Sequence, residues 1–301
     1  MEILYEDKQL MVCYKEAGLP VQSARMGVKD LESILKNYLW EKGQEKGKQR
    51  EPYLAVVHRL DQPVEGVLVF AKTPEAAKKL SAQLTDGRMK KTYLAVTHLP
   101  THRISKHPRS QEMGEENLYE DDSQGKRFWK EKPDQEGFQE KGSWKEKPGQ
   151  ADPQGQELCG GNKTGMGRFH SLEDYLVKDG RTNTSRIGKA GEPGAKLAKL
   201  EYEILEREEN KALVKIRLYT GRHHQIRVQM AGTGMPLYGD RKYGMEEHSP
   251  ASLALCAAFL EFFHPGSGRK MRFSCRPKGE YFQEFASILE SQVGVQGEGI
   301  L

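Results

Sequence analysis

The chain has 301 residues, 36% of them hydrophobic and 30% charged, which is enough for one large domain or two modest ones. Its 47 basic and 43 acidic residues leave a formal net charge of +4, an excess that many soluble enzymes carry and that does not by itself announce a nucleic-acid partner. No apolar run approaches the ~20 residues that span a bilayer, and the acid-bearing opening "MEILYEDKQLMVCYKEAG" lacks a signal-peptide core, so a soluble cytoplasmic protein without a membrane partner is expected.

In chain order, "EILYED" and "LMVCYKE" read as two short strands with a turn between them. "DLESILKNYLWEKG" spaces Leu31, Ile34, Leu35, Tyr38 and Leu39 at helical intervals, with Asp30 as the cap and Gly43 as the stop. "YLAVV" and "GVLVFAK" are β-rich runs separated by an HRLD turn. "TPEAAKKLSAQLTDG" predicts a helix with Pro74 in its first turn and Gly87 at its end. "KKTYLAVTH" is a further strand.

Between Ser105 and Gly167 there is no Val or Ile, and "WKEKPDQ" at Trp129 returns as "WKEKPGQ" at Trp144. Such a stretch buries too little apolar surface to offset its chain entropy, so residues 105–167 read as a low-complexity, flexible insertion within a single catalytic domain spanning 1–301. Order resumes near "HSLEDYLVKDGRTN". Two alternating strands follow in "AKLEYEILERE" and "KALVKIRLYTG", turned at residues 209–211. "RHHQIRVQMAGTG" reads as a short helix ending at Gly232, "SLALCAAFLEFFHP" and "RKMRFSCRP" as strands, and "YFQEFASILES" as a final amphipathic helix. Strand-rich halves on both sides of the insertion predict an α+β fold with a mixed, mainly antiparallel sheet. Cys13, Cys159, Cys256 and Cys275 are scattered without a CxxC pair and read as isolated reduced thiols.

Three stretches carry chemistry-bearing side chains where a strand or turn would not need them. In "VVHRLDQPVEGVLVFAK", His58, Arg59 and Asp61 stand between two apolar runs. Taken alone, Asp61 is explained as a turn cap and His58 as a hydrogen-bonded core residue. In "LYTGRHHQIRVQMAG", Arg222 follows a strand end and His223, His224, Gln225 and Arg227 fall in the first turn of a helix. Adjacent histidines point about 100° apart, so they do not have metal-ligand spacing, and no metal site is expected. An arginine beside a helix start suits a carboxylate or a phosphate, which its planar fork binds in two-pronged fashion. Tyr93, behind Lys90 and Lys91, taken alone is a core tyrosine.

Taken in order, "HRLDQPVEGVLVFAK", "KTYLAV" and "LYTGRHHQIRVQMAGTGMPLYGDRKYG" resemble the RluA family of RNA pseudouridine synthases over roughly residues 1–100 and 170–290. The resemblance implies the pseudouridine-synthase fold without an S4-like module, and isomerisation of specific uridines in ribosomal or transfer RNA by a monomer. It assigns catalysis to Asp61, Tyr93 and Arg222, with Arg222 paired to the aspartate and Tyr93 stacked on the uracil. Contacts to substrate or RNA fall to His58, Arg59, Lys90, Lys91, His224, Gln225, Ile226 and Arg227, and Arg59 corresponds to the residue that enters the space a flipped base leaves. The reaction involves no net redox change, so no cofactor is expected. Pro63-Val64-Glu65 departs from the Thr-Ser that many members carry, which puts substrate contacts near Asp61 in question. Two other readings stay open: a non-catalytic RNA-binding protein of the same fold, and a hydrolase using Asp61 with Glu65.

Overall fold

The computed structural model describes residues 2–25, 27–44, 51–99, 119–121, 127–129, 169–245 and 252–293. The elements run β1 (Glu2–Glu6), β2 (Leu10–Lys15), α1 (Leu31–Gln44), β3 (Ala55–Val56), β4 (Glu65–Ala71), α2 (Pro74–Thr85) and β5 (Lys90–His98). They continue with β6 (Tyr119–Asp121), β7 (Arg127–Trp129), β8 (His170–Asp179), β9 (Thr184–Gly188), β10 (Lys196–Glu208), β11 (Lys211–Leu218) and α3 (Gln225–Gly232). Strands β12 (Leu255–Phe263) and β13 (Lys270–Ser274) precede a 3₁₀ turn over Glu280–Phe285 and α4 (Ala286–Val293).

Local chemistry explains the helix starts. The Asp30 carboxylate accepts the Ser33 N–H at 2.8 Å and the Ser23 N–H at 2.7 Å, and Thr73 Oγ1 accepts the Ala76 N–H at 3.1 Å. Gly43 does not stop α1, which runs through it to Gln44. One hairpin escaped the sequence: β9, "TSRIG", is too short and polar to show a strand period and forms only because β8 pairs with it.

The sheet runs β1-β2-β4-β12-β5-β11-β10-β8-β9, with β3 added to β4 and β13 to β12. All its pairings are antiparallel except β4 with β12. Both faces are covered where the apolar runs are continuous, which is why β2 and β4 are buried at every position. One face packs Val67, Val69 and Leu94 under Leu80 of α2 and Phe282, Phe285 and Leu289 of the C-terminal segment. The other packs Leu68, Phe70 and Val214 under Leu31, Leu35 and Leu39 of α1 and Ile226 and Met230 of α3. Each such side chain contributes ~1.5–3 kcal/mol when fully buried. The HRLD loop and α3 lie on this second face.

The chain divides into two compact units, Met1–Ile104 with Gly165–Leu301, and Ser105–Thr164. The expectation of a flexible segment at 105–167 falls outside the described residues, apart from β6 and β7, which pair antiparallel with Tyr119 opposite Trp129. Cys13, Cys256 and Cys275 are free and buried. Cys256 and Cys275 are not isolated, since their Sγ atoms stand 3.6 Å apart, and Cys159 lies outside the described residues. Among the described residues, no helix is long and apolar enough to cross a membrane.

Candidate active site

The loop between β3 and β4 is set by the apolar residues on either side of its aspartate. Leu60 and Val64 are buried in the core of the second face, and the Val64 N–H closes a turn on the Asp61 carbonyl at 3.0 Å. With its neighbours pulled inward, Asp61 keeps a side chain 32% exposed. The next residue ties the loop down. The Gln62 carbonyl accepts the Gly18 N–H at 2.9 Å and the Lys15 Nζ at 3.0 Å, while the Gln62 amide donates to the Gly18 carbonyl at 3.0 Å. Lys15 is wholly buried and also donates to the carbonyls of Glu16 at 3.0 Å and Leu19 at 2.7 Å.

Helix α3 brings up the other wall. His224 turns the chain into it with φ of 53°, and Gln225 locks the turn. Its side-chain oxygen accepts from Thr220 Oγ1 at 2.7 Å and from the Arg222 N–H at 3.0 Å, and its amide donates to the Lys199 carbonyl at 3.1 Å. His224 Nε2 stands 3.7 Å and Arg227 Nη1 3.9 Å from Asp61 Oδ2. Arg227 is itself held by a two-pronged pair with Asp240, at 2.8 and 2.6 Å, and its guanidinium lies 5.1 Å from the Tyr243 ring. Asp240 Oδ1 also accepts the N–H groups of Lys242 at 2.9 Å and Tyr243 at 3.1 Å. The Tyr243 hydroxyl meets His224 Nδ1 at 2.8 Å.

This layout corrects the expected arginine. Arg222 is exposed and its Nε donates to the Leu197 carbonyl at 2.8 Å; the guanidinium beside Asp61 is that of Arg227. The reason is helical geometry, since Arg222 precedes α3 whereas Arg227 sits on its buried side. Gln225 and Ile226 are buried, the first holding internal hydrogen bonds and the second packed in the core. His58 accepts the Val69 N–H at 3.4 Å through Nε2 and so bridges its own loop to β4. Arg59 and Lys90 are exposed. Glu65 faces inward, taking the Tyr14 hydroxyl and the N–H groups of Lys278 at 3.0 Å and Gly279 at 3.1 Å, so the Pro63-Val64-Glu65 departure changes an internal anchor rather than the face Asp61 presents. A hydrolase needing Glu65 as a second carboxylate is thereby disfavoured.

Electrostatically, burial pushes the Asp61 carboxyl above the usual carboxylate range, while the Arg227 charge pulls it back. Burial and the neighbouring Arg227 lower His224 to about 3, so it is neutral near pH 7 and Arg227 is the nearest charged group to Asp61 among the described residues. Tyr93 is 5% exposed, and burial together with the Asp61 charge raises its hydroxyl pKa. The sequence reading missed Asp240, Tyr243 and Lys15. The first two stand in the quoted "GDRKYG" and were visible as residues but not as partners. Lys15 closes an apolar strand and gave no signal. Among the described residues, no group of three or more His, Cys, Asp or Glu is placed to hold a metal.

The family described as RNA pseudouridylate synthase matches residues 9–232. Ribosomal large subunit pseudouridine synthase D of Pseudomonas aeruginosa is 27% identical over 303 residues, covering 96% of this chain and 72% of that protein. The dual-specificity RNA pseudouridine synthase RluA of Escherichia coli K12 is 28% identical over 276 residues, covering 90% of each. Of solved structures, human RNA pseudouridylate synthase domain containing 4 superposes with a TM-score of 0.57 at 19% identity, over 97% of this chain and 92% of that one. Human RNA pseudouridylate synthase domain containing 1 gives 0.55 at 16% identity, over 100% and 89%. Both share the fold.

Proposed function

This chain belongs to the RNA pseudouridylate synthase family and is an RNA pseudouridine synthase, and from that premise we propose that Asp61 is its catalytic carboxylate and Arg227 the arginine that keeps it charged. The reaction breaks the C1′–N1 bond of a uridine, turns the uracil, joins C1′ to C5 and removes the C5 proton. Breaking the first bond leaves C1′ electron-deficient, and an ionised carboxylate stabilises or traps such a centre, as in glycoside chemistry. The observation that carries the assignment is the placement of Asp61: partly open, between two buried anchors, with a fixed guanidinium 3.9 Å away. Because Arg227 is pinned by Asp240, its charge stays in place without reorganising when substrate enters.

Tyr93, behind Asp61, is the ring on which the uracil stacks, and its hydroxyl serves the final proton transfer. The target base must leave its stack to reach Asp61, at a cost of a few kcal/mol. Arg59, exposed at the loop and close enough to His223 to depress that imidazole's pKa, enters the space left behind. Ribosomal RNA is the substrate class that the names of the relatives support, and the motif resemblance extends to transfer RNA. Pseudouridine mapping of total RNA from cells with and without the gene identifies the position. Asp61→Asn restores none of it in the deleted strain, and the purified variant turns over at least about a thousandfold more slowly. Residual turnover within about tenfold of the parent would remove Asp61 from the chemistry.

A further inference from the structure

Side chains two apart along a strand share a face and lie ~7 Å from each other. Lys91 therefore stands on the same face of β5 as Tyr93, which packs in the core behind the Asp61 loop. Its ammonium lies between the two motif-bearing loops. His58 is on one side: burial first, and the Lys91 charge second, together lower that imidazole to about 3. Gly221 is on the other, where a Cβ would meet Lys91 Nζ at 3.6 Å. The glycine leaves the ammonium approachable.

Lys91 is half-buried, and loss of water is what lowers its pKa. Among the described residues it has neither a hydrogen-bond acceptor nor a carboxylate. The other shielded lysines of this fold are satisfied: Lys15 by three carbonyls, Lys72 by Glu6 at 2.7 Å. His58 adds a second unmet group at the same place. Its Nε2 accepts the Val69 N–H, so the proton of the neutral ring is on Nδ1, which is buried without a partner. Two shielded donors close enough to feel each other's charge, with nothing among the described residues to receive them, are costly unless a ligand completes them.

We propose that Lys91 binds a backbone phosphate of the RNA immediately beside the reacting nucleotide, an inference that rests on the Asp61 reading above. The ligand is a phosphate rather than a uracil carbonyl because Lys15 takes three carbonyls to satisfy its ammonium, whereas one uracil carbonyl meets a single donor and a phosphate supplies several acceptor oxygens together with the counter-charge. The neighbouring Lys90 does not share this role. It points to the opposite face, is exposed, and stands in register with Glu261 on β12.

Ethylation interference tests this on the RNA segment around a uridine that the enzyme converts, ethylated at random so that each molecule has one neutralised phosphate. In the parent and in Lys78→Gln, an exposed lysine on α2 over the opposite face of the sheet, ethylation of one phosphate next to the target blocks conversion. In Lys91→Gln that phosphate drops out of the pattern, affinity for the unmodified RNA falls about tenfold, and the slope of log affinity against log salt loses ~0.7–0.9. Lys91→Arg, which keeps the charge, restores the parental pattern. The proposal is overturned if no phosphate beside the target interferes in the parent, or if Lys91→Gln reproduces the parental pattern. It is equally overturned if Lys91→Gln slows conversion with an unchanged salt slope, the result a uracil contact would give. A parent that converts no uridine in total RNA contradicts the enzymatic reading instead, so the two failures are distinct.

Discussion

Asp61 carries its charge where the fold makes charge expensive. Burial raises its pKa and Arg227 opposes the shift only in part. For a carboxylate raised on folding, the penalty is absent below the unfolded value of ~3.9 and complete once pH has passed the folded value. Asp61→Asn is nearly isosteric and never ionises. It is expected to melt no lower than the parent at pH 7, with any advantage vanishing below pH ~4. Thermal melts of the pair across pH 3–8 check this, and a clearly lower midpoint for the variant at pH 7 contradicts it. The same shift places the acid limb of the parent's single-turnover rate above the ordinary aspartate value. Arg227 and Arg222 separate in the opposite sense. Arg227→Lys keeps a charge but cannot fork to Asp240, whose side chain is fully buried. A loss of ~1–3 kcal/mol in stability is expected, the cost of leaving part of a buried carboxylate unmet while its counter-charge is kept. Arg222→Ala gives up one hydrogen bond to the Leu197 carbonyl and is expected to leave the single-turnover rate within about threefold of the parent. Urea melts and single-turnover assays read both. A hundredfold loss with Arg222→Ala would return that arginine to the site. Two arginines five apart in "GRHHQIR" are equivalent to a reader of the sequence. Only the start of α3 between them decides which one turns inward.

At the scale of elements, the site depends on where β4 begins. Its first residues pair in parallel with β12, Glu65 with Cys256 and Gly66 with Ala257, and this is the sole parallel pairing among the described strands. Gly66 takes φ of 134°, and a Cβ there would stand 2.5 Å from the Ala257 carbonyl oxygen. Backbone strain of that kind costs ~1–3 kcal/mol before the steric conflict is counted. Gly66→Ala is therefore expected to lose at least about 2 kcal/mol in urea melts and to slow turnover as the Asp61 loop shifts. A variant as stable as the parent would show that β4 and β12 separate freely there. The strands themselves were legible because their apolar runs are continuous or alternate. "LMVCYKE", "GVLVFAK" and "KALVKIRLYTG" all became strands within a residue or three of the expected limits. What could not be read is what a strand acquires from a neighbour distant in sequence. β9 exists through β8, the two-pronged pair joins Arg227 to Asp240 from beyond the end of its helix, and Lys15 serves a loop that begins 43 residues later. Glu65 looked like a candidate second carboxylate until Tyr14, Lys278 and Gly279 surrounded it.

For the molecule as a whole, the question is whether the unit holding Asp61 needs the segment that interrupts it. Met1–Ile104 and Gly165–Leu301 form one compact unit, and its sheet contains both β5 and β8, the strands on either side of the break. These two are not neighbours: β11 and β10 lie between them, so the lateral gap is three strand spacings, or ~14 Å. Their ends are compatible in direction. Successive antiparallel pairings put the end of β5 and the start of β8 at the same end of the sheet. They are offset along it, because His98 is level with Lys211 and hence with Glu208, whereas His170 is opposite Tyr202, six residues back. That offset is ~20 Å and the diagonal ~25 Å. Deleting residues 106–166 leaves ten residues, 99–105 and 167–169, to make the crossing, and ten extended residues reach ~33–36 Å. The bridge is long enough without strain. The deleted protein is therefore expected to melt cooperatively within about 4 °C of the parent, since ~1 kcal/mol is that much in a domain of this size. Asp61-dependent turnover is expected to survive with it. Shortening the bridge to six residues, which reach ~20 Å, supplies the control and is expected to lose many degrees. A large loss of stability in the ten-residue version, equal to that in the six-residue one, would mean that the excised segment contributes packing to the catalytic unit rather than merely connecting it.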